Sequence, residues 1–451
     1  MIRGLVKKVI PRGIFQKIEP LGHLLEAVAL HLINGFPMRG LKVIGVTGTN
    51  GKTSTSIMIH RMMVEAGINT GLMTTVAYGV NHNIHQQVAH MTSVSVPELI
   101  KRVKQMNAEG MQWLVLETTS HALAQSRVWG VPFGIAVMTN LTHEHLDYHG
   151  SFENYRDAKR KLFKLTNANK KGLRLGIINA EDENADFFAT DITNVQTYGL
   201  KKGNIQAQNL KLTSGGSRYL AKINDDEYRI DCHLPGSFNV ANSLAAVLVG
   251  RALGLTKDQI QKGIAALKGV EGRMERVDEG QDFDVIVDYA HTPDSFEKLF
   301  KDLKPVVRGQ LIAVFGSAGR RDEAKRAVQG KLAGQYADIV VITEEDDRDM
   351  DGQEIMNQIA GGAEQSGKVR KKDLFLVHDR PNAIQLSINM AKSGDTVLLL
   401  GKGHEKDILR NGPRAAELRH LQQDDHNPER VVEIPWNEVE AVRSALKNRL
   451  K

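Results

Sequence analysis

LKVIGVTGTNGKTSTS (41–56) is the stretch on which the reading of this 451-residue chain turns. LKVIGV (41–46) is a compact run rich in β-branched residues, the pattern of a buried strand. GTNG follows, and GKTSTS opens a helical pattern. Glycines let a backbone wrap closely round phosphate oxygens. The free N–H groups of a helix N-terminus favour the anion. Lys52 is placed to reach the β- and γ-phosphates, and the Thr53 hydroxyl to bind Mg²⁺. Gly48, Thr49, Asn50, Gly51 and Ser54 complete the expected loop. The strict pattern G-x-x-x-x-G-K-[ST] is not met, because Val46 stands where its first glycine belongs.

Outward from this loop, WLVLE (113–117), GIAVMT (134–139) and LGIIN (175–179) read as further buried strands. Short apolar runs alternating with helices argue for a parallel sheet with crossover helices. Polar strand patterns occupy 204–233, and LPGSFNVANSLAAVLVGRALG (234–254) is a turn followed by an alanine- and leucine-rich helix. A second alternating series comprises FDVIVDYA (283–290), QLIAVFGSAG (310–319), ADIVVIT (337–343) and DTVLLLGKG (395–403). The expected fold is α/β. A phosphate-loop domain with a mostly parallel sheet (41–269) is followed by a Rossmann-like α/β domain (270–451), after a short helical extension (1–40).

Composition narrows the function classes. Hydrophobic content of 41% and charged content of 25% are those of an ordinary soluble globular protein. The net charge of +6 is modest, and part of it comes from Arg3, Lys7, Lys8, Arg12 and Lys17. With no RNA-type motif and little aromatic interleaving, anionic small molecules are the expected partners, and nucleic acid is not. One cysteine, Cys232, excludes an intramolecular disulfide and a cysteine-based metal site. Together with the lack of a signal-peptide pattern, this suits a reducing cytoplasm. No apolar run approaches the ~20 residues of a membrane span. Basic and apolar residues interleave over 1–20, which reads either as a helical cap or as a membrane-surface contact.

The form G-T-N-G-K-T resembles the phosphate loop of the Mur ligase family, the ATP-dependent amide ligases of peptidoglycan synthesis. ETTSHALAQSR (117–127), THEHLDYHGSFENYRDAKRKLF (142–163), GSFNVAN (236–242), GRME (272–275), DYAHTPDS (288–295) and GKGHE (401–405) are similar, in order, to blocks of the members (MurE) that add the third peptide residue. The resemblance covers roughly residues 41–440. It implies a cytoplasmic, monomeric enzyme that phosphorylates a muramoyl-dipeptide carboxylate with ATP. A diamino acid, meso-diaminopimelate or L-lysine, then attacks the acyl phosphate.

The resemblance also implies roles. Thr53, Glu117, His145 and a carbamylated Lys159 are matched to the ligands of two Mg²⁺ ions. Carbamylation needs a neutral amine, which burial supplies. Asn239 and Asn242 are matched to residues that hold the nucleotide. Arg273, Asp288 and His291 are matched to contacts with its phosphates and ribose. On the donor, Thr92, Ser93, Ser120, Gln125 and Arg127 are matched to contacts with the muramoyl dipeptide. On the acceptor, Arg326, Glu345, Asp346, Arg348, Gly401 and Glu405 are matched to contacts with the diamino acid. THEHLDYH also raises zinc at His143, His145 and His149 as an alternative to magnesium.

Three departures stand out. Only about forty residues precede the phosphate loop, where that family usually has a uridine-binding domain. The family's T-T-P block reads TSVSVPE (92–98) here. The D-N-P-R motif is replaced by TEEDDRDMD (343–351), in which only Arg348 survives. By composition this acidic run is a solvated loop. By position, after ADIVVIT, it lies where open α/β sheets bind ligands. Its extra acids favour a cationic side chain, while Arg348 and Glu405 favour diaminopimelate. The competing readings are another amide ligase of the same superfamily, such as a folylpolyglutamate synthase, and a non-catalytic ATP-binding subunit.

Overall fold

The computed structural model describes residues 12–87, 93–418, 420 and 427–450, without the side chains of 12–21, 146 and 147. The described chain is mixed α/β and falls into two compact units. The first comprises residues up to 211 with 218–232 and 238–267, and the second 268–451 with 212–217 and 233–237.

The first unit is built on β1 (Lys42–Thr47), β2 (Thr70–Met73), β3 (Ala77–Val80), β4 (Asn83–Gln86), β5 (Trp113–Glu117), β6 (Phe133–Met138), β7 (Leu175–Asn179), β8 (Asn194–Gly199), β9 (Ile205–Thr213), β10 (Gly216–Ile223) and β11 (Asp226–Cys232). They form one sheet in the order β11-β10-β9-β8-β7-β6-β1-β5-β2-β3-β4. β1 lies parallel to both β5 and β6, with Val46 opposite Glu117 and Thr47 opposite Met138. β1, the first part of the quoted segment, is therefore a central strand, and all of the strand after Lys42 is buried. β3 and β4 add an antiparallel edge that the sequence pattern does not signal. β4 is exposed throughout.

The N-terminal extension contains a 22-residue helix, Arg12–Ile33. Its inner side packs by His31 against Trp129, with ring centroids 5.5 Å apart. Lys104 and Asn107 of helix Val96–Ala108 donate to Asn34 and to the Pro37 carbonyl.

In the second unit, β12 (Glu275–Arg276), β13 (Asp284–Asp288), β14 (Leu311–Phe315), β15 (Ile339–Ile342), β16 (Leu374–Leu376) and β17 (Thr396–Leu400) run in the order β12-β13-β17-β14-β15-β16. All pairs but the β12 edge are parallel. β18 (Asp407–Asn411) and β19 (Val431–Pro435) pair separately. A fully buried ion pair ties this unit together. The Arg380 guanidinium donates to both oxygens of Glu438, at 2.6 and 2.9 Å, to the Leu400 carbonyl that ends β17, and to the Glu344 carbonyl.

Removing one partner of such a pair leaves an uncompensated buried charge. Glu438→Ala is expected to lower unfolding free energy by ~3–5 kcal/mol in urea titration, and Arg380→Met/Glu438→Leu to recover most of that loss.

Candidate active site

The loop after β1 is crowded in a way that requires its glycines. Gly48 has φ +147°, and a Cβ there would overlap the Thr139 hydroxyl. Gly51 has φ +81°, and a Cβ there would lie 2.7 Å from the Asn242 side-chain oxygen. Thr139 and Asn140, at the end of β6, fasten the loop from the side. The Thr139 hydroxyl and the Asn140 amide donate to the Asn50 carbonyl at 2.6 and 3.0 Å, and Asn140 Oδ1 accepts from Asn50 N–H at 2.9 Å. Helix Lys52–Glu65 begins at Gly51 with no side-chain cap, so its first N–H groups face the loop unclaimed by a capping side chain. Lys52 folds back onto the Thr49 carbonyl at 2.7 Å, and Ser54 is buried on the helix. Asn242 donates to Asn239 at 3.0 Å within the helix that crowds Gly51.

Glu117 ends β5 beside this loop. The Thr53 hydroxyl donates to its two oxygens at 3.1 and 3.0 Å. Thr75 adds its backbone N–H at 2.9 Å and its hydroxyl at 3.0 Å. Hydroxyl and carboxylate oxygens side by side are the hard donors that Mg²⁺ takes, and the glycine cradle fits a polyphosphate. The residues present therefore fit ATP and magnesium.

Lys159 approaches from helix Phe152–Ala168. Its ammonium is 2% exposed and donates to the Gly48 carbonyl at 2.6 Å. Burial holds its pKa well below the usual lysine range. The Lys52 charge adds to that shift, and Glu144 and Glu117 oppose it. The Nζ lies 4.6 Å from the centre of the Tyr155 ring, whose hydroxyl meets that of Thr49 at 2.9 Å. His145, at φ +55°, sits 6.2 Å from the same ring and 4.8 Å from His121. The structure thus gathers Lys52, Thr53, Glu117, Lys159 and His145 round one loop. Among the described residues His143, His145 and His149 form no metal-type grouping. His143 stacks on Phe152 at 4.6 Å, and His149 bonds the Ser120 hydroxyl at 3.0 Å. Among the described residues the metal-type grouping is Glu344, Asp347 and His378, and Glu344 there already binds Arg410.

The donor-side residues form a second chain of contacts. Arg127 donates to Gln125 and to the Ser93 carbonyl, both at 2.8 Å. Gln125 donates to the Tyr148 hydroxyl at 3.0 Å. The Ser93 hydroxyl accepts from Thr119 and lies 3.4 Å from the Glu117 carbonyl, which it donates to. Thr92 lies outside the described residues.

The second unit carries the remaining candidates. Arg273 covers the Tyr289 ring at 4.5 Å. Asp288 accepts from the N–H groups of Met274 and Ala290, both at 2.7 Å, and burial raises its carboxyl. His291 bonds the Tyr289 carbonyl at 2.9 Å. Arg326 is fully buried and donates to Gln358 at 2.7 Å and to the Ala318 carbonyl at 3.3 Å.

EEDDRDMD (344–351) is not a solvated loop: from Glu344 to Asp349 every residue is at most 7% exposed. The acids are neutralised from within. Arg410 binds Glu344 at 2.5 Å, His378 binds Asp347 at 2.5 Å, and Arg320 and Arg430 converge on Asp349 at 3.0 and 2.6 Å. Asp351 caps helix Gly352–Gln365. Lys402 bridges Asp346 and Glu405, at 2.9 and 2.6 Å. Burial works against its ammonium, but the two carboxylates outweigh that and hold its pKa up. The run's charge is therefore spent inside the unit, contrary to the expectation that its extra acids lie open to a cationic side chain. Glu345 is the exception: it is 6% exposed, its Oε2 has no hydrogen-bond partner, and it faces Gly401. Arg348, at φ +55°, donates to the Gly319 carbonyl at 2.5 Å.

Sequence reasoning missed Thr75, Thr139, Asn140, Tyr155 and Lys402. A signal existed for Thr139, Asn140 and Lys402, which follow apolar strand runs directly. None existed for Thr75.

Set beside known proteins, this architecture has clear relatives. Residues 46–250 match the Mur ligase middle domain, and residues 272–403 the Mur ligase, glutamate ligase domain. The chain belongs to the Mur ligase family, whose members are ATP-dependent, ADP-forming ligases that use Mg²⁺. It is 37% identical to the UDP-N-acetylmuramyl-tripeptide synthetase of a Roseiflexus species, over 91% of this chain and 80% of that one. It is likewise 37% identical to the UDP-N-acetylmuramoyl-L-alanyl-D-glutamate--2,6-diaminopimelate ligase of Geobacillus kaustophilus, over 84% and 77% of the two chains. A solved structure of a ligase of that name superposes with TM-score 0.63 at 29% identity, covering 91% of this chain and 79% of that one. Mycobacterium tuberculosis folylpolyglutamate synthase shares the fold, with TM-score 0.69 at 17% identity over 89% and 94% of the two chains.

A buried lysine whose pKa is held low penalises folding wherever the unfolded chain would bind the proton more readily. That penalty grows as pH falls below the unfolded lysine pKa. Lys159→Met is therefore expected to raise the unfolding midpoint in CO₂-free buffer, by more at about pH 7 than at about pH 10, while abolishing turnover. Thermal denaturation at the two pH values checks this.

Proposed function

We propose that this chain joins a diamino acid to a muramoyl-dipeptide carboxylate in peptidoglycan precursor synthesis, consuming ATP through an acyl phosphate. The observation that carries the reading is the convergence of Lys52, Thr53, Glu117 and Lys159 on the Gly48 loop. The 37% identity to tripeptide synthetases over most of the chain supports it. It is favoured over the folylpolyglutamate reading, whose likeness extends to the fold alone. It is favoured over a non-catalytic subunit because a protein that only binds nucleotide has no need of a fully buried lysine, its pKa held low, beside the phosphate loop.

The loop amides and Lys52 hold the phosphates and neutralise charge that develops during transfer. Thr53 and Glu117 hold one Mg²⁺, which supplies electrostatic stabilisation of the transferred phosphoryl group. Lys159, as a carbamate, and His145 hold a second. Carbamylation is the addition of CO₂ to the neutral amine with loss of one proton, and burial of Lys159 favours the required amine. Ser93, Ser120, Gln125 and Arg127 orient the donor. Arg127 is the residue suited to grip a carboxylate through two N–H groups.

The acceptor is assigned to the second unit, with meso-diaminopimelate preferred over L-lysine. Glu345 supports recognition of a distal ammonium, because it is the acid of its run without a hydrogen-bond partner at Oε2. Gly401 and Glu405 stand with it, Arg326 is assigned to the α-carboxylate, and Arg348 to the distal carboxylate. Asp346 is held by Lys402 and by the Leu409 N–H, so its role is to fix this wall.

Phosphate release from ATP, measured with a muramoyl-dipeptide donor and a panel of diaminopimelate, lysine, ornithine and glutamate, tests the reading. Turnover is expected with a diamino acid, and ATP turnover indifferent to every amine overturns it. Lys159→Ala is expected to lose activity by ~100-fold or more and to regain part of it with short carboxylic acids, as loss of one charge-stabilising group in a phosphoryl-transfer site implies. Glu345→Gln is expected to raise KM for the diamino acid by ~10-fold or more while leaving KM for ATP unchanged, as loss of one buried charge-assisted contact implies.

A further inference from the structure

Arg102, on helix Val96–Ala108, is a charged side chain only 7% exposed. Its Nε donates to Glu98 at 2.8 Å, and its guanidinium lies over the Tyr78 ring, 3.8 Å from the centroid. Glu98 is shared with Lys101, at 3.9 Å. The N–H groups of the two terminal nitrogens are left over, and among the described residues neither nitrogen makes a hydrogen bond. A guanidinium drawn so far out of water is costly unless acceptors reach it.

The same side chain lines a groove of about 270 Å³ between the helix and the β3–β4 hairpin, together with Tyr78, His85, Gln105, Met106 and Glu109. Tyr78 and His85 are cross-strand partners with ring centroids 5.6 Å apart. Arg102, Gln105, Met106 and Glu109 recur at three- and four-residue steps, so they share one face of the helix and its end. Glu109 accepts from the Asn83 amide at 3.5 Å and keeps capacity for further donors.

These groups select a ligand class. The planar guanidinium fits a phosphate or carboxylate. Glu109 and Gln105 accept from hydroxyls, and the ring faces suit a compact apolar surface. Free phosphate would leave the rings idle and meet the Glu109 charge. A neutral sugar would leave Arg102 without its acceptor. A phosphorylated sugar uses every group.

Position connects the groove to the donor. Arg102 also lines a small cavity with Gln87, Ser93 and Arg127. Ser93 and Arg127 are assigned to the donor above. Gln87 is 6% exposed, and neither end of its side-chain amide has a hydrogen-bond partner. Arg102 is the side chain common to the groove and the donor wall.

We propose that this groove binds a phosphorylated sugar, with its phosphate on the Arg102 guanidinium, and that this is the sugar-phosphate part of the donor, on the side away from the reacting carboxylate. The link to the donor rests on the ligase reading, and the sugar-phosphate site does not.

Isothermal titration of the full chain with N-acetylglucosamine 1-phosphate tests the site, run with saturating Mg²⁺ and ADP so that the phosphate loop is filled. Binding is expected, and N-acetylglucosamine and inorganic phosphate are each expected to bind ~10-fold or more weakly, because each lacks one set of contacts. Arg102→Met is expected to weaken sugar-phosphate binding ~10-fold or more. Gln105→Glu adds a second acid to the groove at an exposed position, and is expected to weaken it ~5-fold or more without shifting the thermal unfolding midpoint. In the ligase assay with a phosphate-bearing muramoyl-dipeptide donor, both variants are expected to raise the donor KM by those factors, and the KM for ATP is expected to stay where it is. No binding of the sugar phosphate, or binding that both variants leave unaltered, overturns the site. Inorganic phosphate bound as tightly as the sugar phosphate overturns the ligand class. An unchanged donor KM in variants that have lost sugar-phosphate binding overturns the link to the donor. ATP turnover indifferent to every amine sinks the ligase reading alone, since the titration needs neither amine nor turnover.

Discussion

The bond between the Thr53 hydroxyl and the Glu117 carboxylate is the constraint on which the first unit's chemistry depends. It joins the first turn after β1 to the end of β5, two strands that neighbour each other in a parallel sheet. Parallel pairing puts the ends of both strands on one edge, so the hydroxyl and the carboxylate meet there without a dedicated loop. β6, on the other side of β1, brings Thr139 and Asn140 to the same edge. The sheet order supplies a place for phosphate, and the side chains at its strand ends supply the charge pattern. The same logic explains the glycines: with neighbours on both sides, the loop has no room for a Cβ at Gly48 or Gly51.

Lys159 illustrates how burial becomes chemistry. An amine in water is protonated and inert towards CO₂ at neutral pH. Burial, with the Lys52 charge beside it, holds the pKa of Lys159 well below the usual lysine range. The cost is an amine removed from water, which folding alone does not favour. Such local conflicts mark functional sites, because folding alone gives no reason to keep them.

The legible parts of this protein were those encoded by contiguous residues. The phosphate loop announces itself because strand, glycines, lysine and helix follow one another. The buried strands of both units read plainly, since parallel strands covered on both faces are continuous apolar runs. What the sequence concealed was assembled across distance. Thr75 reaches Glu117 from a turn after β2 that carries no pattern of its own. The edge strands β3 and β4 are four residues each, β4 is polar and exposed, and neither has enough alternation to mark it. The acidic run was misread by composition because its neutralising partners, Arg320, His378, Lys402, Arg410 and Arg430, are scattered along the chain. Only the fold brings them to one place.

The internal neutralisation of that run also governs how the protein can change over generations. A solvated acidic loop drifts freely, since each substitution alters only its own hydration. Here an altered acid at Asp346 or Asp349 strands a cation on another segment, and the reverse change strands an anion. A change at one member of this wall therefore calls for a matching change at its partner. Glu345 differs from its neighbours in that its Oε2 has no hydrogen-bond partner, although its charge still acts on the buried Arg380.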